Sequence, residues 1–248
     1  MNLNVTGGKS SYGHIVGILM SDSTSPRIPG DPGHAETFPF PVIHEVLKGF
    51  PFEDLVSIKK DNLDKLMAPA LSLQEKGVSL VAADCGLFGP FHEDFRRHLE
   101  VPFIGTALDL VPLLQHIFPA DKRIAVITGD TRILTPRHLA ASGVEAGSVH
   151  IVGMENSSEF NKVVINGSSE LDVDQMRQGV QDAASGLLAE TIGAVVLECT
   201  NLISYRADIQ KILNVPVFDL VSMIEFYVSG LKLGDFHSRY LNSSTRWR

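Results

Sequence analysis

Cys85 and Cys199 are the only thiols in the 248-residue chain, and they stand 114 residues apart. That separation fits neither a CxxC metal pattern nor a disulfide framework, so any role they have is as free thiols. Taken singly, each would be a small buried hydrophobe, the usual fate of a free cysteine. The chain shifted by 114 residues matches itself, however, with VSLVAADCGLFGPFHEDFRRHLEVPF falling on IGAVVLECTNLISYRADIQKILNVPV. Cys85 then overlies Cys199, Asp84 overlies Glu198, Asp94 overlies Asp208, Leu99 overlies Leu213, and Val101-Pro102 overlies Val215-Pro216. Core packing does not require the two cysteines to share a place in a duplicated unit. Each copy reads as a buried strand, a cysteine, a loop, an amphipathic helix and a further strand opened by Val-Pro. Carboxyl ends of strands are where open parallel sheets bind ligands.

Two thiols facing each other across a cleft suit stereoinversion at a carbon next to a carboxylate. One thiolate removes the proton from one face, a protonated thiol returns it on the other, and a turnover swaps their states. A cysteine starts near pKa 8.5, and backbone N–H groups, helix N-termini and nearby cations favour its thiolate. Fixed N–H and hydroxyl donors can stabilise the charge that proton removal builds on the substrate.

The elements that must position these thiols follow from apolar periodicity. Strand-length runs are predicted at His14 to Met20, Leu55 to Ile58, Val78 to Ala83, Val101 to Gly105, Arg123 to Thr128, Val149 to Val152, Ile192 to Leu197 and Val215 to Phe218. Helical spacing occupies Asp61 to Lys76, with Asp61 as N-cap, Pro69 as a kink and Gly77 as the stop, and again Asp172 to Glu190. Strands alternating with helices imply parallel sheets covered on both faces. The segment Pro26 to Pro41, PRIPGDPGHAETFPFP, cannot form a regular helix or central strand and must be a long loop. Its pair Phe38 and Phe40 favours an ordered, packed loop.

Composition narrows the function classes. With 44% hydrophobic and 20% charged residues the chain can bury a sizeable core. A formal net charge of −8 without a basic run argues against nucleic acid. No apolar stretch approaches the roughly 18 residues of a membrane span, and the short apolar run near the N-terminus does not make a signal core. The expected location is cytoplasmic. No HxxxH pattern is present, so no metal is expected. Thr6-Gly7-Gly8-Lys9-Ser10 lacks phosphate-loop spacing, so no nucleotide cofactor is expected.

At these residues the chain resembles the aspartate/glutamate racemase superfamily of cofactor-independent racemases, isomerases and lyases, from the Ile15 strand to the helix after Phe218. Glu198-Cys199-Thr200-Asn201-Leu202 is similar to the family's second-half Cys-Thr signature. Asp84-Cys85-Gly86 is its first-half counterpart, where many amino-acid racemases carry Cys-Asn-Thr. Asn201 stands where the family often has His. These departures point away from glutamate racemase proper and toward a divergent branch. Pro29-Gly30-Asp31, Phe38 to Pro41 and the first-half Cys-Gly-Leu-Phe resemble a subgroup that includes algal dimethylsulfoniopropionate lyases. A lyase shares the first proton abstraction, then expels a β leaving group instead of reprotonating. The resemblance implies that Cys85 serves the D face and Cys199 the L face, and that the protein is a homo-oligomer.

Candidate substrate-binding residues flank the thiols. Ser21, Asp22 and Ser23 follow the first strand, where the family often places an Asp-Ser pair, although such residues are also ordinary turn formers. Thr128 and Thr131 lie in Thr128-Gly129-Asp130-Thr131, read as opening a helix that could bind an anion or as a plain cap. Thr200 and Asn201 follow Cys199 directly, and Gly86 leaves the backbone open beside Cys85. His34 and His92 are the nearest imidazoles, and a solvated surface role is the simpler reading of both. The expected protein is α/β, with two pseudosymmetric, parallel-sheet, Rossmann-like lobes and the active site in the cleft between them. Residues 1–108 make the first lobe, completed by a C-terminal helix over 219–241, and residues 109–218 make the second. The leading expectation is a cofactor-independent amino-acid racemase acting on a small carboxylate-containing substrate. A dimethylsulfoniopropionate-type lyase and a non-catalytic small-ligand binding protein are the alternatives.

Overall fold

A computed structural model describes residue Gly8 and residues 12–231, so most of the Thr6 to Ser10 segment lies outside it. The strands are β1 Val16–Ser21, β2 Val42–Leu47, β3 Leu80–Ala83, β4 Phe103–Ile104, β5 Arg123–Thr128, β6 Val149–Gly153, β7 Ile192–Leu197 and β8 Val217–Phe218. The helices are α1 Phe52–Ser57, α2 Leu63–Glu75, α3 His92–His98, α4 Leu110–Ile117, α5 Pro136–Ala141, α6 Ser158–Phe160, α7 Val173–Ser185, α8 Arg206–Leu213 and α9 Leu220–Leu231. Two four-stranded sheets form, in the orders β2-β1-β3-β4 and β6-β5-β7-β8, with every pairing parallel. This is the α/β architecture that the sequence repeat predicts.

The repeat survives in the backbone. Val81 N–H donates to Pro102 O at 3.0 Å and Val195 N–H to Pro216 O at 2.9 Å, so each Val-Pro opens a strand against the one that carries the cysteine. Asp84 N–H donates to Leu19 O at 3.0 Å and Glu198 N–H to Ile127 O at 2.9 Å. Both acids therefore sit where a sheet's order reverses, between β1 and β3 or between β5 and β7, the place where open α/β sheets bind ligands.

Strand alternation divides the core. Ile124, Val126, Ala194 and Val196 face the cluster that also holds β1, β3 and α2, whereas Ala125, Ile127, Val195 and Leu197 face α7 and α8. One hydrophobic cluster thus runs from the first sheet to the inner face of the second. Leu220, Val221, Ile224 and Val228 of α9 join that cluster, and Tyr227 Oη donates to Ser79 O at 3.2 Å. Of the helix expected over 219–241, residues from 232 onward lie outside the described region.

Several expectations change. Leu55 to Ile58 is not a strand but the end of α1, whose Glu53 and Asp54 suit a helix N-terminus, and Ile58 stops it at φ 55°. The missed second strand is β2, whose VIHEVL sequence is half-buried throughout most of its length and shows no clean alternation. α2 is preceded by Asn62 rather than Asp61, and it contains Pro69. α7 begins after Asp172, whose side chain accepts the N–H groups of Asp174 and Gln175, and it ends before Gly186. Thr128 to Thr131 opens no helix, because Asp130 Oδ1 accepts the Arg132 N–H at 2.8 Å and closes a turn. α5 starts only at Pro136. The proline-rich segment is a loop without helix or strand, with the Phe38 and Phe40 ring centroids 5.5 Å apart.

Phe88 lies in the turn after Cys85, fully buried, with its ring 6.5 Å from those of Phe91 and Phe95. Phe88→Ala is expected to cost about 3–5 kcal/mol, read from urea unfolding. A loss below about 1 kcal/mol would mean the site turn is not anchored by this aromatic cluster.

Candidate active site

Each cysteine follows its strand by one acidic residue and precedes a six-residue 3-10 turn, Gly86–Phe91 after Cys85 and Thr200–Tyr205 after Cys199. The two turns continue into α3 and α8. Both thiols are free and half-buried in the wall of one cavity of about 500 Å³. Of the residues expected from sequence, Cys85, Cys199, Ser21, Asp22, Ser23, Thr128, Thr200 and Asn201 line this cavity. Gly86 and Thr131 do not. Thr131 Oγ1 instead donates to Glu155 Oε1 at 2.7 Å.

Gly86 has a different role from the one expected. A Cβ there would fall 2.4 Å from both the carbonyl oxygen and Oε1 of Glu198, so its missing side chain admits the other half of the protein rather than a substrate. On the same seam the Thr200 hydroxyl donates to the Asp84 carbonyl oxygen. The ends of β3 and β7 therefore meet almost backbone to backbone. Thr200 thus lines the cavity with its hydroxyl engaged in the seam.

The acids before the cysteines are buried and are treated unequally. Asp84 Oδ1 accepts the N–H and hydroxyl of Ser21 at 2.9 and 2.8 Å, and its Oδ2 accepts Arg27 Nη2 at 2.9 Å. Glu198 Oε2 accepts only the Thr128 hydroxyl, at 2.6 Å, and no cation pairs with it among the described residues. Burial pushes the Glu198 carboxyl up to about 7, with the Thr128 hydrogen bond opposing the shift. Asp84 is held by a guanidinium and two Ser21 donors, whereas Glu198 is an acid poised to titrate.

Burial also pushes both thiols up. For Cys85 the charges of Glu198 and Asp84 add to burial, while the Leu87 N–H favours the thiolate. For Cys199 burial is reinforced by Glu198, and the Asn201 N–H opposes it. The second thiol has a further restraint: Cys199 Sγ donates to Asn201 Oδ1 at 3.8 Å, and Asn201 Nδ2 in turn donates to Asp31 Oδ2 at 3.2 Å.

Asp31 belongs to the proline-rich loop, and it shares Arg27 with Asp84. Arg27 Nη1 meets Asp31 Oδ1 at 3.0 Å while Nη2 meets Asp84. Burial raises the Asp31 carboxyl above its usual range even against this guanidinium. The loop is pressed into the seam, because Gly30, at φ 105°, lies where a Cβ would be 2.8 Å from Ser204 Cα. Thr24 Oγ1 donates to Gly167 O at 2.8 Å, and the Ser25 hydroxyl donates to Val163 O at 2.7 Å. These bonds bring the segment from Val164 to Gly167 over the cavity, where Phe52, Leu87, Ile133 and Phe160 add apolar wall.

Sequence reasoning missed Arg27 and Asp31 as site residues and noted Asp84 and Glu198 only as aligned acids. The available signal was Pro29-Gly30-Asp31 together with an arginine in the same loop. His34 and His92 do not line the cavity. His34 Nδ1 accepts the Glu36 N–H, and His92 Nε2 accepts the Gly105 N–H at 3.0 Å. Among the described residues no group of His, Cys, Asp and Glu is placed to hold a metal, and no helix is long and apolar enough to cross a membrane.

Glu198 makes stability depend on pH. Its folded value near 7 exceeds its ordinary value of 4.5, so the folded protein binds the proton more tightly and stability falls as pH rises between those values. Glu198→Gln removes this loss. Above pH 7 the variant should exceed the parent by on the order of 3 kcal/mol in urea unfolding, with no such advantage below about pH 4.5. A parallel pH dependence in both proteins would contradict the assignment.

Residues 43–224 match the family model described as Asp/Glu/Hydantoin racemase. A dimethylsulfoniopropionate lyase of Durusdinium sp. clade D is 27% identical over 225 residues, covering 87% of this chain and 74% of that protein. Dimethylsulfoniopropionate lyase 5 of Emiliania huxleyi is 26% identical over 224 residues, covering 85% of this chain but 44% of the longer relative. Among solved structures, a glutamate racemase of Bacillus anthracis superposes with a TM-score of 0.59 at 15% identity, over 88% of this chain and 81% of that one, a likeness of fold. With the family model covering most of the sequence, from the second strand into the last described helix, the chain belongs to the Asp/Glu/Hydantoin racemase family.

Proposed function

We propose that this protein is an enzyme that removes a proton from the carbon next to a carboxylate, and that its main reaction is β-elimination from a sulfonium carboxylate such as dimethylsulfoniopropionate. The observation that carries this reading is the unequal treatment of the two thiols. Racemisation needs two groups that exchange roles, whereas elimination needs one base. Cys199 donates its proton to an Asn201 carbonyl that Asp31 holds in place, which keeps it a thiol. Each thiol has a backbone N–H that favours its charged form, from Leu87 or Asn201, but Cys85 donates to no side chain among the described residues and is the base.

The charge of the cavity supports a cationic leaving group. Asp22, Glu53, Asp84 and Glu198 line it against the single cation Arg27, which is committed to Asp84 and Asp31. An amino dicarboxylate would bring a second negative charge with no unpaired cation to meet it among the described lining residues. A sulfonium is favoured by the acids, and its methyl groups suit Phe52 and Phe160.

The Cys85 thiolate takes the proton from the α carbon. The electron pair left behind forms the double bond to the β carbon, the carbon–sulfur bond breaks, and its pair leaves on sulfur. Dimethylsulfoniopropionate gives acrylate, dimethyl sulfide and one proton.

The relatives named as dimethylsulfoniopropionate lyases support this choice. The second reading, an amino-acid racemase, is favoured by the duplication itself, which places Cys199 in the same cavity with a proton to return. We propose with either reading a cofactor-independent protein, cytoplasmic and homo-oligomeric.

Proton NMR in deuterated water, on reduced protein with dimethylsulfoniopropionate and with both enantiomers of aspartate and glutamate, separates them. Acrylate and dimethyl sulfide are expected. Cys85→Ser should lower elimination by about 10²–10⁴-fold, whereas Cys199→Ser should lower it by no more than about tenfold. Deuterium at the α carbon of an amino acid with appearance of its enantiomer, lost equally in both variants, would favour the racemase instead.

A further inference from the structure

Elimination releases one proton at every turnover, which its base must shed, whereas racemisation only exchanges the states of the two thiols. On the lyase reading above, Cys85 ends each cycle as a thiol and must be deprotonated again inside a cavity that disfavours thiolate. We propose that Glu198 is the group that resets it, taking the proton from Cys85 across the seam between the halves and passing it to solvent in the cavity.

Geometry singles out Glu198 among the acids of the site. It follows β7 directly, yet its Oε1 and carbonyl oxygen lie against Gly86, the residue after Cys85, so closely that a Cβ on Gly86 would be 2.4 Å away. It is 3% exposed and lines the same cavity as both thiols. The Thr128 hydroxyl engages Oε2, and the oxygen on the Gly86 side has no hydrogen-bond donor among the described residues. Asp84 shows by contrast what a purely structural acid looks like at the matching place, since it has three donors, one of them a guanidinium. Asp31 is likewise saturated by Arg27, the Gly33 N–H and Asn201.

The charged and titratable groups facing Glu198 support a single shared proton. Cys85 and Asp84 approach from the first half and Cys199 from its own strand end. Arg27 and Asp31 approach from the proline-rich loop and are already paired with each other. Beyond Thr128, Asp130 is held by Arg132. Glu198 and Cys85 disfavour each other's charge, so above neutral pH the pair carries one negative charge between them. When the carboxylate takes the thiol proton, the thiolate forms beside a neutral acid. After the thiolate has removed the substrate proton, Glu198 releases its own to water and accepts the next. One proton leaves per turnover, which balances the elimination.

This makes Glu198 a positioning and proton-transfer residue acting through Cys85, and the two roles of its charge give opposite signs in one variant. Glu198→Gln keeps the size and the Thr128 partner but cannot take a proton. Iodoacetamide alkylation of each cysteine, quantified by peptide mass spectrometry across pH, should become about tenfold faster at Cys85 at pH 8, because the opposing carboxylate is gone. Dimethylsulfoniopropionate turnover should nevertheless fall by about 10²-fold, with loss of the limb that rises through pH 7 in the parent. Glu198→Asp should restore part of the turnover and the limb. A more reactive thiol in a slower enzyme is what a packing defect would not produce. If Glu198→Gln retains parental turnover and the same pH limb, the inference is overturned. If the parent turns over no sulfonium substrate, the lyase reading fails separately, and the alkylation profile still decides the pairing. Identical Cys85 profiles in parent and Glu198→Gln would overturn it.

Discussion

The carboxyl ends of β3 and β7 touch, and the chemistry of the site follows from how little room that contact leaves. Thr200 reaches the Asp84 carbonyl and Gly86 lies against the Glu198 backbone, so the residues between them, Cys85 and Cys199, are forced into one cavity. Parallel sheets deliver their strand ends to the same edge, and two such sheets facing each other bring four ends together at their reversal points. Acids carried to that seam lose water. A buried carboxylate must then find a cation, find donors or hold its proton.

The two halves solve that problem differently, so a symmetric scaffold carries an unequal seam. The first half recruits Arg27 from the proline-rich loop to pair with Asp84. The loop lies between β1 and β2 and has no helix, whereas the equally long connection between β5 and β6 contains α5. The loop serves both halves from one side: Arg27 neutralises the acid beside Cys85, and Asp31 orients the amide beside Cys199. Removing the guanidinium would leave two buried carboxylates facing each other, an arrangement that costs several kcal/mol when one partner of a buried pair is lost.

The thiols, the duplication and the α/β architecture were legible in the sequence because each rests on local periodicity or on a spacing that repeats. Val-Pro after each helix, and an acid before each cysteine, are one-dimensional signals of one three-dimensional unit. Arg27 and Asp31 were not legible, because their partners lie 57 and 170 residues away and loop residues carry no period. Thr131 and Gly86 have the right residue types for anion binding, yet their neighbours, Glu155 and Glu198, claim them. β2 escaped notice because an edge strand exposed to a mixed environment need not alternate. Glu198 was visible as the mate of Asp84, but that one mate is paired and the other is not is a property of the assembled seam alone.

That unpaired acid bears on how one fold supports both inversion and elimination. A racemase passes a proton between two bases and releases none to solvent in the net reaction. A lyase generates a proton at each cycle and, with thiols that burial holds protonated, requires a group that can carry it away near neutrality. Burial alone tunes a carboxyl to that range, provided that no cation restores its ordinary acidity. Pairing Asp84 while leaving Glu198 bare is thus a smaller change than inventing a new catalytic group. It adds a titrating site by withholding a partner, at the expense of some stability above neutral pH.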